Sequence, residues 1–314
     1  MMRLIDRAEV AARLPMHRAI ALVRDAMIAL SNGETSQPLR EIIPLGDGRL
    51  FGIMPGSMGP GATFGAKLLS IYPENVAAGL QSHQGVVLLF EPEHGLPVAA
   101  MHAGEITAIR TAAASAVATD ALARADPRRL AILGTGEQAA SHARAMALVR
   151  PLAAIRIWGR SAEKAAALAA ALGSELGLPA VAATTVADAV ADADIICTVS
   201  GAADPILHSA MVAPGAHINI VGSSHAGPRE IDDALVVRGR LIADYRPGVL
   251  AQGAEFLHAR AAGLIGDDHV VGEIGAILAG RLAGRTEAAE VTLFKSLGHI
   301  VQDLACGWAL YRDE

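Results

Sequence analysis

The chain is short of cysteine, of aromatic residues and of unbroken apolar stretches, and each shortage removes a class of protein. Cys197 and Cys306 are the only cysteines in 314 residues. They have no metal-ligand spacing and no disulfide framework around them, so no metal site is expected and a reducing cytoplasm suits the chain. Aromatic residues make up 3%, too few for the stacking platforms of single-strand nucleic-acid binders. The net charge is −6 and the basic residues are scattered, which argues against any nucleic-acid partner. Hydrophobic residues reach 52% and the mean hydropathy is +0.38, yet no run approaches the roughly 20 apolar residues that span a bilayer. The opening MMRLIDRAEVAARL mixes charges with short apolar steps, unlike a secretion signal. A soluble protein with no membrane partner is expected, without repeats or low-complexity tracts.

What the chain does have is LAILGTGEQAASH at 130–142, an apolar run that breaks at glycines and resumes with helical character. Gly134 permits a tight turn, Gly136 lets backbone approach a phosphate, and Ala139 allows close packing of helix on strand. A helix start there offers N–H groups and a positive dipole end to a pyrophosphate. IRIWGR, DADIICTVS, AHINIVGS and RLIADYR follow as further apolar runs separated by helical or turn-rich segments. Such alternation predicts an α/β, Rossmann-type doubly wound parallel sheet. IRIWGR, the second strand of the unit, ends Trp158-Gly159-Arg160-Ser161, with Lys164 one helical turn on and no acid to hold a ribose 2′-hydroxyl. A guanidinium, a hydroxyl and an ammonium there favour the 2′-phosphate of NADP(H), with NAD(H) as the lesser alternative.

The first third reads differently. Two helices separated by Pro15 are expected within residues 1–30, then short strands between 37 and 100 punctuated by Gly and Pro, then a long helix over 105–122. This predicts a second, α+β domain for substrate, built from 1–122 and completed by 291–314, around a dinucleotide-binding domain of 123–290. Arg40, Lys67 and Arg110 stand in apolar surroundings within it. Taken singly, each suits a buried structural cation; together beside a hydride carrier they suit a carboxylate held by paired guanidinium groups and a lysine that moves a proton. His83 and Gln84 precede an apolar strand and are candidates to face the nicotinamide or the substrate. Glu105, His102 and Asp120 carry no assignment.

The segments SHQGVVLLFEPEHGLPVAA, ITAIRTAAASAVAT, ILGTGEQA, PGAHINIVGSS and VTLFKSLGHIVQDL occur in an order that resembles the ornithine cyclodeaminase and mu-crystallin family through nearly the whole chain. RTAAASA and FKSLG are its more specific motifs. The resemblance implies a homodimer whose N-terminal substrate and dimerisation domain is completed by the C-terminal segment. It implies that Arg40 and Arg110 hold the substrate α-carboxylate and that Lys67 lies against the reacting atoms. Thr111, Gln138, Arg160 and Ser161 would contact cofactor, with Ser224 and the motif residue Lys295 on the same side. The family includes cyclodeaminases, imine reductases, amino-acid dehydrogenases and a hormone-binding crystallin. Cyclodeaminases carry an Asp after the strand-end VG turn where this chain has Ser224, which cannot act as a carboxylate base, and WGRS resembles the NADPH-using members. The family's usual Asp before the RTAA helix is His102 here. The expected activity is hydride transfer to the C=N carbon of a small 2-imino acid such as Δ1-pyrroline-2-carboxylate. An amino-acid dehydrogenase, an ornithine cyclodeaminase and a non-enzymatic NADP-dependent binding protein are the alternatives.

Overall fold

Pro15 divides the N-terminal helical stretch as its missing N–H requires: after β1 (Arg3–Ile5) come α1 (Arg7–Arg13) and α2 (Met16–Ser31), and Pro15 is the residue that caps α2. The computed structural model describes residues 2–313, the side chains of Val76, Ala77 and His83 excepted. It divides into two units, Met1–Arg110 with His299–Glu314, and Thr111–Gly298.

In the first unit β2 (Glu41–Gly46), β3 (Arg49–Ser57), β4 (Phe64–Ile71), β5 (His83–Phe90) and β6 (Pro97–His102) form an antiparallel meander. β1 adds in parallel to β6, giving the order β1-β6-β5-β4-β3-β2. Then α3 (Ala103–Leu122) begins, and the boundary between the units falls inside it. Its sequence is apolar on every side, and residues 108–119 are all buried, as a helix without a polar face must be.

The second unit is the expected doubly wound sheet, with eight parallel strands among the described residues. β7 (Arg129–Leu133), α4 (Glu137–Val149), β8 (Ala154–Trp158), α5 (Ala162–Leu176) and β9 (Ala180–Ala182) run to one side. After α6 (Val186–Val190), β10 (Ile195–Thr198) crosses to the other side of β7 and pairs with it. β11 (His217–Ile220), α7 (Asp233–Arg238), β12 (Arg240–Ala243), α8 (Arg246–Gln252), α9 (Ala254–Ala261), β13 (Val270–Glu273), α10 (Ile274–Leu278) and β14 (Thr292–Lys295) follow. The order β13-β12-β14-β11-β10-β7-β8-β9 reverses direction between β7 and β10, and such a switch point opens a crevice at the carboxyl ends of the strands. Leu130 to Leu133 and Ile195 to Thr198 are all buried, as central parallel strands covered on both faces require.

Two boundaries differ from those expected at 122/123 and 290/291. The C-terminal half of α3 is tied to the second unit by buried polar bonds: Ser115 Oγ to His142 Nε2 at 2.9 Å, Asn219 Nδ2 to Thr119 Oγ1 at 2.9 Å, and Arg285 Nε to the Leu122 carbonyl at 2.9 Å. Residues 292–295 are not the start of the terminal segment but β14, inserted in register between β11 and β12. The element that returns to the first unit is α11 (Ile300–Arg312), which packs on α2 and against β3, β4 and β5.

Candidate active site

In the first unit the meander places Lys67 at the middle of β4, paired with Met54 on β3 and Val87 on β5. The residue is 2% exposed. A buried ammonium needs a counter-charge and hydrogen-bond acceptors, and α11 supplies the charge. Lys67 Nζ donates to both carboxylate oxygens of Asp303 at 3.0 Å and to Thr107 Oγ1 at 3.3 Å. Arg110, also buried, donates from Nε to Asp303 Oδ1 at 3.2 Å and from Nη1 to Gln302 Oε1 at 2.9 Å. Asp303 therefore bridges two of the three cations singled out in the sequence. Sequence reasoning missed it, although a signal was present: on a helical projection Asp303 lines up with Cys306 and Leu310, so an acid occupies the apolar face of α11.

The third cation, Arg40, lies just before β2, half-buried, and its charge is felt by Lys67 and by His299. Burial, then the Arg110 charge, pushes Lys67 down to about 7 against the pull of Asp303, with Arg40 adding to the depression. His299 caps α11 and is driven down to about 3 by burial and by Arg40, so it is neutral. For Asp303, burial raises the carboxyl, but Arg110 and Lys67 outweigh it and hold the group below its ordinary range. Lys67 and Arg110 share the single carboxylate of Asp303, and the Arg40 charge acts on the same cluster. Gln84 lies on β5 and donates from Nε2 to the Gln81 carbonyl at 3.2 Å. His83 opens β5, but its side chain is outside the described residues. His102 accepts the Glu105 N–H at 3.1 Å, the work of an N-cap, which the Asp usual in the family could also do.

In the second unit the glycine turn has the form expected. Gly134 is at φ +145°, where a Cβ would lie 2.5 Å from the Val199 carbonyl oxygen, whereas a Cβ on Gly136 would meet nothing within 4 Å. Gly136 starts α4 with no capping side chain among the described residues, so the helix N-terminus opens onto free space as an anion site does. Gln138 is in its first turn, half-buried. Thr111 Oγ1 is buried without a hydrogen-bond partner among the described residues. At the end of β8 Arg160 and Lys164 are exposed, and Ser161 caps α5 by accepting the Lys164 N–H at 3.2 Å, which leaves its hydroxyl proton to donate. These features fit a dinucleotide.

Lys295 does not behave as a cofactor contact. It is 1% exposed, and its Nζ is taken by Glu255 Oε2 at 2.7 Å, the Ser223 carbonyl at 2.7 Å and Ser223 Oγ at 2.6 Å. It supports the turn after β11 from behind, while Ser224 on that turn is half-buried. The reason is its place on β14, a strand enclosed within the sheet.

The ornithine cyclodeaminase/mu-crystallin family model matches residues 1–313. The chain belongs to that family. Mouse ketimine reductase mu-crystallin is 36% identical over 281 residues, 89% of this chain and 86% of that protein. A Δ1-pyrroline-2-carboxylate reductase of Bacillus cereus is 31% identical over 298 residues, 94% and 91% of the two chains. Among solved structures, Δ1-pyrroline-2-carboxylate reductase from Thermococcus litoralis in complex with NADH and L-proline superposes with a TM-score of 0.96 at 32% identity, covering 99% of this chain and 96% of that one.

Proposed function

We propose that this chain is an NADP(H)-dependent reductase that delivers hydride to the C=N carbon of a small 2-imino acid, with Δ1-pyrroline-2-carboxylate as the reference substrate. The observation that carries the proposal is the buried Lys67–Asp303–Arg110 cluster, a proton donor tuned near neutrality beside a fixed guanidinium. The named activities of the relatives, reduction of ketimines and of Δ1-pyrroline-2-carboxylate, support it.

Arg40 and Arg110 hold the substrate carboxylate. Asp303 and Gln302 fix the plane of the Arg110 guanidinium by taking Nε and Nη1, so little conformational freedom is lost when the anion binds. Lys67 hydrogen-bonds the imine nitrogen and supplies its proton. The protonated C=N is the better electrophile, and after reduction the nitrogen keeps that proton in an uncharged amine. The bound nicotinamide supplies the hydride. In the second unit the N-terminus of α4 and the Gly134–Gly136 turn hold the pyrophosphate, with Gln138 and Thr111 as further contacts, while Arg160, Ser161 and Lys164 take the 2′-phosphate. The absence of an acid at the end of β8 supports NADPH over NADH.

The chain works as a homodimer. β2 is an edge strand that leaves Ile43 and Leu45 exposed, an apolar edge that a second copy would cover. Cys197 and Cys306 are buried free thiols, and with no helix of the described residues long and apolar enough to cross a membrane they are consistent with a cytoplasmic setting.

The test is a panel assay with purified protein and NADPH against Δ1-pyrroline-2-carboxylate, iminosuccinate, and 2-oxo acids with and without ammonia. Loss of NADPH absorbance and formation of proline from the cyclic imine are expected. Oxidation only with an oxo acid plus ammonia would make it a dehydrogenase, and binding of NADPH with no oxidation across the panel would overturn the enzymatic assignment.

A further inference from the structure

A second buried acid, Glu230, stands at the carboxyl edge of the parallel sheet and has no place in the chemistry above. Its Oε1 accepts from the Ser200 N–H and the Ser200 hydroxyl, both at 2.7 Å. Its Oε2 accepts from the Gly222 N–H and the Thr198 hydroxyl, again both at 2.7 Å. Four donors meet the four lone-pair sites of one carboxylate, and its own N–H donates to Glu255 Oε1 at 3.2 Å. Burial raises the Glu230 carboxyl, opposed by the Thr198 and Ser200 bonds and by the Lys295 charge.

The residues it ties together follow the ends of β10 and β11. Ser200 leads directly from Val199, whose carbonyl is the atom that forbids a side chain at Gly134. Gly222 opens the turn bearing Ser223 and Ser224, and a Cβ there would lie 2.1 Å from the Ser200 carbonyl oxygen. A contiguous line of backbone thus runs from the phosphate-binding turn through Val199 and Ser200 to Gly222, and Glu230 pins its far part. We propose that Glu230 is a positioning residue for the nicotinamide nucleotide, holding the 200–202 and 222–224 loops at the switch point in the conformation that binds it. The proposal rests on the assignment of that edge to the nucleotide.

The donor pattern makes glutamine an unusually informative replacement. In Glu230→Gln the amide nitrogen must face either the Ser200 pair or the Gly222 pair. A hydroxyl can rotate to offer a lone pair, but a backbone N–H cannot, so whichever way the amide lies one loop N–H loses its bond to residue 230: either the Ser200 N–H, or the Gly222 N–H, which then keeps only its longer bond to the Thr198 carbonyl at 3.2 Å. Thr198→Val is the contrast. It removes one hydroxyl from a residue already held in the ladder of β10 and leaves both loop N–H bonds intact. Ser200→Ala removes a loop hydroxyl that also accepts the Ala202 N–H at 3.3 Å, and it serves if Glu230→Gln does not fold.

The experiment measures the NADPH dissociation constant by nucleotide fluorescence, KM for NADPH and for imine, and thermal stability, in wild type and the three variants. Glu230→Gln is expected to weaken NADPH binding roughly tenfold, as loss of one hydrogen bond to a charged acceptor does. Ser200→Ala should weaken it about threefold and Thr198→Val less than about twofold, with KM for imine at saturating NADPH unchanged in all three. Unaltered NADPH affinity in both Glu230→Gln and Ser200→Ala, whatever their melting temperatures, would overturn the positioning role while leaving the nucleotide site standing. Wild-type protein that binds no NADPH would instead overturn the nucleotide assignment itself.

Discussion

Replacing Asp303 by Asn removes the negative charge shared by Lys67 and Arg110 while keeping the shape of the side chain. At 3.0 Å from Nζ a unit charge interacts with the ammonium by about 5.5 kcal/mol at an effective dielectric of about 20. That corresponds to roughly 4 pKa units at about 1.36 kcal/mol each. Arg110 shares the carboxylate and will relax, so about half of this, roughly two units, is the expected fall. Lys67 titrates at about 7 in the wild type, and a fall of roughly two units lowers its protonated fraction at neutral pH from about one half to about 1%. If Lys67 is the proton donor, kcat/KM for the imine near pH 7 drops about fiftyfold and recovers toward about pH 5, because acid restores the donor. Profiles of kcat/KM against pH for both proteins with one substrate cancel the titration of the imine itself. Removing one partner of a buried ion pair also destabilises the fold by roughly 3–5 kcal/mol. The loss should be smaller at higher pH, where a neutral Lys67 no longer lacks its counter-charge. A variant whose profile keeps the wild-type midpoint and plateau would refute the idea that Asp303 governs the protonation of Lys67.

Lys67→Met should lower kcat at least about a hundredfold with NADPH affinity within about twofold, measured by stopped-flow reduction and nucleotide fluorescence; equal turnover would end its role as donor. In the wild type, kcat/KM should decline as pH rises through about 7, since the folded-state pKa lies below that of a free lysine and the protonated form is lost there. Arg160→Asp should weaken NADPH binding about thirtyfold or more, the value of one or two charge-assisted bonds, and leave NADH nearly untouched; calorimetric titration with both nucleotides checks this. Gly134→Ala, with its Cβ aimed at the Val199 carbonyl at φ +145°, should cost about 3 kcal/mol of stability in urea unfolding.

Much of the second unit was legible because its signals are local. A glycine at φ +145°, an open helix start at Gly136 and strands buried on both faces each leave their mark within a dozen residues, and the strand from Arg129 and the turn after it fall where the apolar run and the glycines place them. Lys67, Arg40 and Arg110 were visible as charges in apolar company. β14 was misplaced because nothing in VTLFK says that it enters between β11 and β12 rather than rejoining the first unit. Glu230 was invisible for a related reason: in PREIDD it is one acid among three, and only the return of the chain past the ends of β10 and β11 gives it four donors.

Residue type and short spacing are enough to specify the doubly wound unit, the glycine turn at the start of α4, the lack of an acid at the end of β8 and the family, and all of these could be read from the chain as a string of letters. Three further facts needed the fold: Asp303, 236 residues from Lys67, is its counter-charge; Lys295 faces Glu255 instead of a ligand; and α3 is divided between units. Burial and pairing of charge depend on which distant segments come together in space, and a linear pattern does not carry that information.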